Sequence, residues 1–172
     1  MTLVRDPRPP ISQGDTASRA LWLAPVTIML GSLATTLPFV ATYPTLPPFG
    51  LMFLLAWRMR RSDIFRSWAP LPLGLFDDLV SGQPLGSAML LWTLVNLVMD
   101  TLETRLVWRD VWQDWLVAAA AIGGTLIAGR LIAVPLGTHV DTALVFQIIV
   151  AIACYPAVAR LTAALDRRAV PG

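Results

Sequence analysis

The 172-residue sequence contains no lysine, one histidine and one cysteine, and only 14% of its residues are charged. A typical soluble domain carries about 25% charged residues. Scarce charge together with 56% hydrophobic residues and a mean hydropathy of +0.65 excludes a disordered chain and an ordinary soluble enzyme domain. The single cysteine, Cys154, has no partner with which to build a disulfide framework. One histidine, His139, and one cysteine cannot assemble a metal site, which needs several ligands at matched spacing. There is no glycine-rich phosphate-binding loop, so the chain is not expected to be an ATPase or to need a cofactor. Net charge is only +2, and no basic cluster is long enough to read as a nucleic-acid arm.

What is present is long apolar sequence punctuated by proline and arginine. No charge occurs between Arg19 and Arg58. A transmembrane helix needs about 20 mostly apolar residues, so this stretch holds more than one helix. Prolines favour helix starts and turns over helix interiors, and they place a turn around Tyr43–Pro48. The spacing predicts six helices: Ala20 to Val40, Leu46 to Trp57, Ser67 to Val80, Leu85 to Met99, Leu116 to Val134 and Thr142 to Ala159. Twelve of the thirteen arginines then fall in the two termini and in the second and fourth loops. The loops around Tyr43, Gly82 and His139 have none. By the positive-inside rule the arginine-bearing side is the cytoplasm. The expectation is an all-α membrane protein of the inner membrane, with six transmembrane helices and both termini cytoplasmic. Residues 1–19 form a cytoplasmic tail, 20–160 the membrane domain and 161–172 a second cytoplasmic tail. The first 19 residues are polar and lack a signal-peptide pattern. No internal repeat is evident.

Catalysis finds little support. His139 and Asp141 sit together in a predicted outer turn, but no serine lies in a nucleophile motif. Charges inside the predicted spans are more informative, because each costs about 2.5–3.5 kcal/mol at the bilayer centre on insertion scales. They are Asp77 and Asp78 in the third helix and Arg130 in the fifth. Adjacent residues on a helix point about 100° apart, so the two aspartates do not share an environment. Gly74 and Gly82 lie four residues to either side of Asp78, on its own face. Small residues at that spacing let helices approach closely, so Asp78 is expected to face protein. Its carboxylate either accepts hydrogen bonds from backbone near the Ser81–Gly86 turn, serves as a proton or substrate site, or meets a partner. Small-residue faces also occur on the first helix (Gly31, Thr35) and the fifth (Ala120, Gly124, Ala128), and read as internal packing. Between them, Trp108, Val111, Trp112 and Trp115 predict an interfacial amphipathic helix in contact with membrane lipid.

The stretch from Gly74 to Gly86 resembles the signature of MreD, the rod shape-determining membrane protein family of bacteria. The pattern Gly-x-x-x-Asp-Leu-x-x-Gly-x-x-Leu-Gly matches at Gly74, Asp78, Leu79, Gly82, Leu85 and Gly86. Chain size and the short, proline-preceded second span are similar too, whereas Asp77 is not part of the pattern. The resemblance implies a non-enzymatic subunit of the cell-elongation machinery that governs cell shape and peptidoglycan synthesis. It implies direct binding to MreC and, through it, association with a class B penicillin-binding transpeptidase, RodA and MreB. It also implies a fold similar to the substrate-binding subunits of vitamin transporters. The alternative function is therefore a solute-binding membrane subunit of an energy-coupled transporter.

Overall fold

The computed structural model describes residues 12–36, 46–62, 65, 68–105, 111–133 and 142–169. Those residues form six α-helices, a short 3-10 turn and connections, with no strand among them. The helices are α1 (Ser12–Leu33), α2 (Phe49–Arg60), α3 (Pro70–Ser81), α4 (Ser87–Arg105), α5 (Val111–Ala133) and α6 (Thr142–Ala169). The 3-10 turn Ala34–Thr36 extends α1. Two helices, Val111–Ala133 and Thr142–Arg168, are long and apolar enough to cross a membrane, with mean hydropathies of 1.9 and 2.1. Only 11% and 17% of their apolar windows are buried within the protein. Such surface is unfavourable in water.

Several boundaries differ from the sequence reading, and charge is the reason in α2, α4 and α6. Helix α1 starts at Ser12, inside the expected polar tail, and α6 runs to Ala169 through the expected C-terminal tail. Helix α2 continues through Arg58 to Arg60, and α4 continues through Asp100 and Glu103 to Arg105. The charged residues read as loop breaks are instead helical, because they pair with one another across the helices. The predicted interfacial helix dissolves accordingly. Its C-terminal part, Val111, Trp112 and Trp115, forms the first turns of α5, while Trp108 lies outside the described residues. The turns around Tyr43 and around His139 and Asp141 lie outside them as well.

Helix α2 is the hub. Leu51, Met52, Leu54, Leu55, Ala56 and Trp57 are all buried, so the helix is enclosed on every side, as a helix hydrophobic all round must be. It packs on α1 along one side and on α6 along another, with α5 also in contact. With 12 residues α2 is about 18 Å long, short of the roughly 30 Å hydrocarbon core of a bilayer, and α3 is equally short. Trp57 is fully buried and donates Nε1–H to Thr27 Oγ1 at 2.8 Å, fixing α2 against α1. Gly31 permits that approach: a Cβ there would lie 2.9 Å from Phe53 and 3.0 Å from the Gly50 amide. The small-residue face of the first helix is thus an internal seam.

The small residues of α5 behave differently. Ala120, Gly124 and Ala128 line an open apolar groove of about 440 Å³ between α4 and α5, and nothing approaches within 4 Å of a Cβ placed on Gly124. The expected internal packing of this face is therefore not seen. A proline joins α5 to α6. Pro156, inside α6, has no N–H to give the carbonyl four residues earlier. That carbonyl, of Ile152, accepts Trp115 Nε1–H from α5 at 3.3 Å.

Two packing predictions follow from this geometry. Gly74→Ala would place a Cβ 2.6 Å from Met89 Cα and force α3 from α4; an overpacking cost of about 1–3 kcal/mol should lower the melting temperature in detergent. Trp115→Phe should cost about 1 kcal/mol by withdrawing the donor from the Ile152 carbonyl, measurable by the same thermal melt.

Candidate functional site

The segment from Gly74 to Gly86 forms the turn between α3 and α4, the most extensively packed helix pair. Pro70 stands at the start of α3, where a missing N–H costs nothing. Gly74 faces α4 so closely that an added Cβ would meet the backbone of Ala88 and Met89 at 2.6–2.9 Å. Gly82 ends α3 with φ +68°, and Gly86 precedes α4 with φ +95°. Both values belong to the left-handed region that glycine enters without strain.

Between these glycines Asp78 is 1% exposed. Its Oδ1 accepts from the Ala88 amide at 2.8 Å and the Ser87 hydroxyl at 3.0 Å. Its Oδ2 accepts from the Gly86 amide at 2.9 Å and the Met89 amide at 3.2 Å. The first amides of a helix have no partners within it, and a negative charge there also complements the helix dipole. An ordinary N-cap comes from the residue preceding the helix. Here it comes from the neighbouring helix, eight to eleven residues upstream, so one carboxylate both starts α4 and sets its angle to α3. Of the three readings of Asp78, this geometry is the backbone-bonding one.

The other motif positions divide. Gly74, Gly82 and Gly86 shape the hairpin, whereas Leu79 and Leu85 are 65% and 72% exposed and take no part in the core. Asp77 does point elsewhere. Its carboxylate lies against α1 and α2, where a Cβ on Gly50 would come within 3.2 Å of Oδ1 and would also meet the Ser32 hydroxyl. This is an interior position. Arg130 is half-buried in the last turn of α5, near the helix end opposite Trp112.

A second polar centre was missed by sequence reasoning. Arg58 is only 4% exposed. Its Nε donates to Asn96 Oδ1 at 3.0 Å, its terminal nitrogens pair with Glu103 at 3.1–3.2 Å, and it pairs with Asp100. Asn96, Asp100 and Glu103 follow one another at spacings of four and three, which places them on one face of α4. That periodicity was visible in the sequence, but a helix ended at Met99 separates its members. Next to it, Asp166 of α6 accepts from Arg60 Nε at 2.7 Å and pairs with Arg61 at 3.4 Å. Two helices are thereby tied to the same end of α2. The arrangement binds helices together.

Asp78→Ala should lower stability by at least about 2 kcal/mol, since each buried donor left unmade costs about 1–3 kcal/mol. Asp78→Asn, which keeps one accepting oxygen, should lose less; denaturant titration in detergent measures both. Arg58→Met should cost about 1–3 kcal/mol by removing the donor that Asn96, Asp100 and Glu103 share. Arg58→Lys should recover little of it, because a point charge cannot serve three groups at once.

No protein-family model matches the chain, and no curated protein or solved structure does either.

Proposed function

We propose that this protein is a non-enzymatic scaffold or regulatory subunit of the bacterial cell-elongation complex, of the MreD kind, with MreC as its direct partner. Through MreC it would act on the transpeptidase, RodA and MreB. In this reading it is a multi-pass protein of the inner membrane, with six crossings and both termini cytoplasmic. The short helix α2 crosses within protein, where non-helical ends are tolerated because they do not face lipid.

The observation that carries the proposal is the use made of Asp78. All of its hydrogen-bonding capacity goes to the backbone and hydroxyl of the next helix, so the residue central to the family-like motif builds shape and offers no chemistry. The same motif leaves Leu79 and Leu85 exposed on the hairpin, and an exposed apolar surface of this kind serves contact with lipid or with another protein. The mechanism is positional: binding MreC selects which of its states reaches the transpeptidase.

Gentle detergent extraction of the native complex tests this. MreC should co-elute with the chain. Asp78→Ala should reduce protein abundance and co-elution together, as expected of a structural carboxylate. Failure of MreC to co-elute, or a small solute retained through purification, would overturn the proposal and favour a transporter subunit. Reporter fusions after Gly172 should be active only on the cytoplasmic side, and insertions at Gly82 only on the outer side.

A further inference from the structure

A cleft of about 560 Å³ opens where the end of α2, the first turns of α5 and the middle of α6 meet. Ligand clefts typically measure about 300–1,000 Å³. Its walls include Met59, Trp112, Trp115, Tyr155 and Pro156. Trp112 and Trp115 pack edge to face with ring centroids 5.4 Å apart. Trp115 is held by the Ile152 carbonyl, and Tyr155 by Met59 Sδ at 3.1 Å, so the wall is built before any ligand arrives. Trp112 remains 69% exposed.

Two cations also line the cleft, Arg60 at the end of α2 and Arg160 on α6, together with Asp114. Asp166 takes the Nε of Arg60. The terminal nitrogens of Arg60 and the exposed Arg160 guanidinium have no carboxylate partner among the described residues. The charged residues lining the cleft are therefore two guanidiniums and one carboxylate. Arg160 follows the start of α6 by eighteen residues, about 27 Å along the helix. Trp112 lies in the first turn of α5 and Arg60 is the last residue of α2. In the membrane reading proposed above, on which this inference rests, all three stand at the cytoplasmic headgroup level, where tryptophan is enriched.

We propose that this cleft binds one anionic phospholipid of the cytoplasmic leaflet. Its phosphodiester sits between Arg60 and Arg160, and an acyl chain lies along Trp112, Tyr155 and Pro156. Guanidinium forks match phosphate oxygens in geometry as well as charge, and basic pockets between helices on the cytoplasmic side are suited to such headgroups. Bound there, the lipid touches α2, α5 and α6 together.

The test uses the full-length chain, delipidated in mild detergent and titrated with dioleoyl phosphatidylglycerol or dioleoyl phosphatidylcholine under native mass spectrometry. One phosphatidylglycerol should be retained at about tenfold lower concentration than phosphatidylcholine, whose choline cation partly cancels the attraction of the phosphodiester to the two guanidiniums. Arg160→Gln should abolish that preference, while Arg168→Gln, a charge at the same end but outside the cleft, should keep it. Deacylated glycerophosphoglycerol should not displace the lipid. Equal retention of the two lipids, an unchanged preference in Arg160→Gln, or displacement by the soluble headgroup would each overturn the lipid site. Alkaline extraction of membranes tests the membrane reading separately. A chain released by alkali fails that reading, whereas a chain that stays embedded without lipid preference fails only this inference.

Discussion

A guanidinium buried on a half-length helix constrains this protein more than any other group. Helix α2 is surrounded on all sides, so Arg58 is carried inside with it. A buried cation is tolerable only when paired and hydrogen-bonded. The three groups that satisfy it, Asn96, Asp100 and Glu103, come from a single face of α4. The requirement therefore reaches across the fold. It extends α4 beyond its apolar part and fixes its rotation toward α2. The neighbouring pairing of Arg60 and Arg61 with Asp166 acts in the same sense on α6. One end of the helix bundle is held by charge, although charge is scarce in the chain.

The Asp78 carboxylate orders another part of the bundle by a different route. It accepts four hydrogen bonds at the start of α4. With Gly74 bringing the two helices into backbone contact and Gly82 and Gly86 supplying positive φ, the α3–α4 hairpin has few alternative geometries. Helix α4 is thus anchored at both ends, by an anion accepting from its first amides and by its own carboxylates gripping Arg58. The two helices long and apolar enough to cross a membrane, α5 and α6, are joined instead through Trp115 and the carbonyl that Pro156 leaves free.

Much of this was legible in the sequence. The all-helical character, the two long apolar helices and the hairpin at Gly74–Gly86 follow from apolar run length and from glycine and proline positions. The inward orientation of Asp78 follows from its flanking glycines, because a helix face of glycines invites close approach whatever the rest of the fold. The failures also share one cause. Arg58, Asp100, Glu103 and the residues after Arg160 were read as breaks, since an isolated charge is a poor candidate for a buried or continuous helix. Their pairing across 42 to 106 residues of sequence makes them compatible with helix, and no local pattern reports that pairing. The small residues of α5 were misread for a related reason: small spacing permits close packing but does not supply the second helix.

By itself, then, the sequence determined where apolar helices lie, that charge would be confined, and that the segment around Asp78 must turn sharply between two close helices. These are local matters of hydropathy, periodicity and backbone freedom. Only the tertiary structure decided that α2 is the enclosed hub, that Arg58 and Asp166 are its fastenings, and that a cleft lined by Arg60, Arg160 and Trp112 opens beside it. Each depends on which helix stands next to which. The free energy of a buried charge is set by neighbours distant in the chain, so it becomes readable only once they are in place.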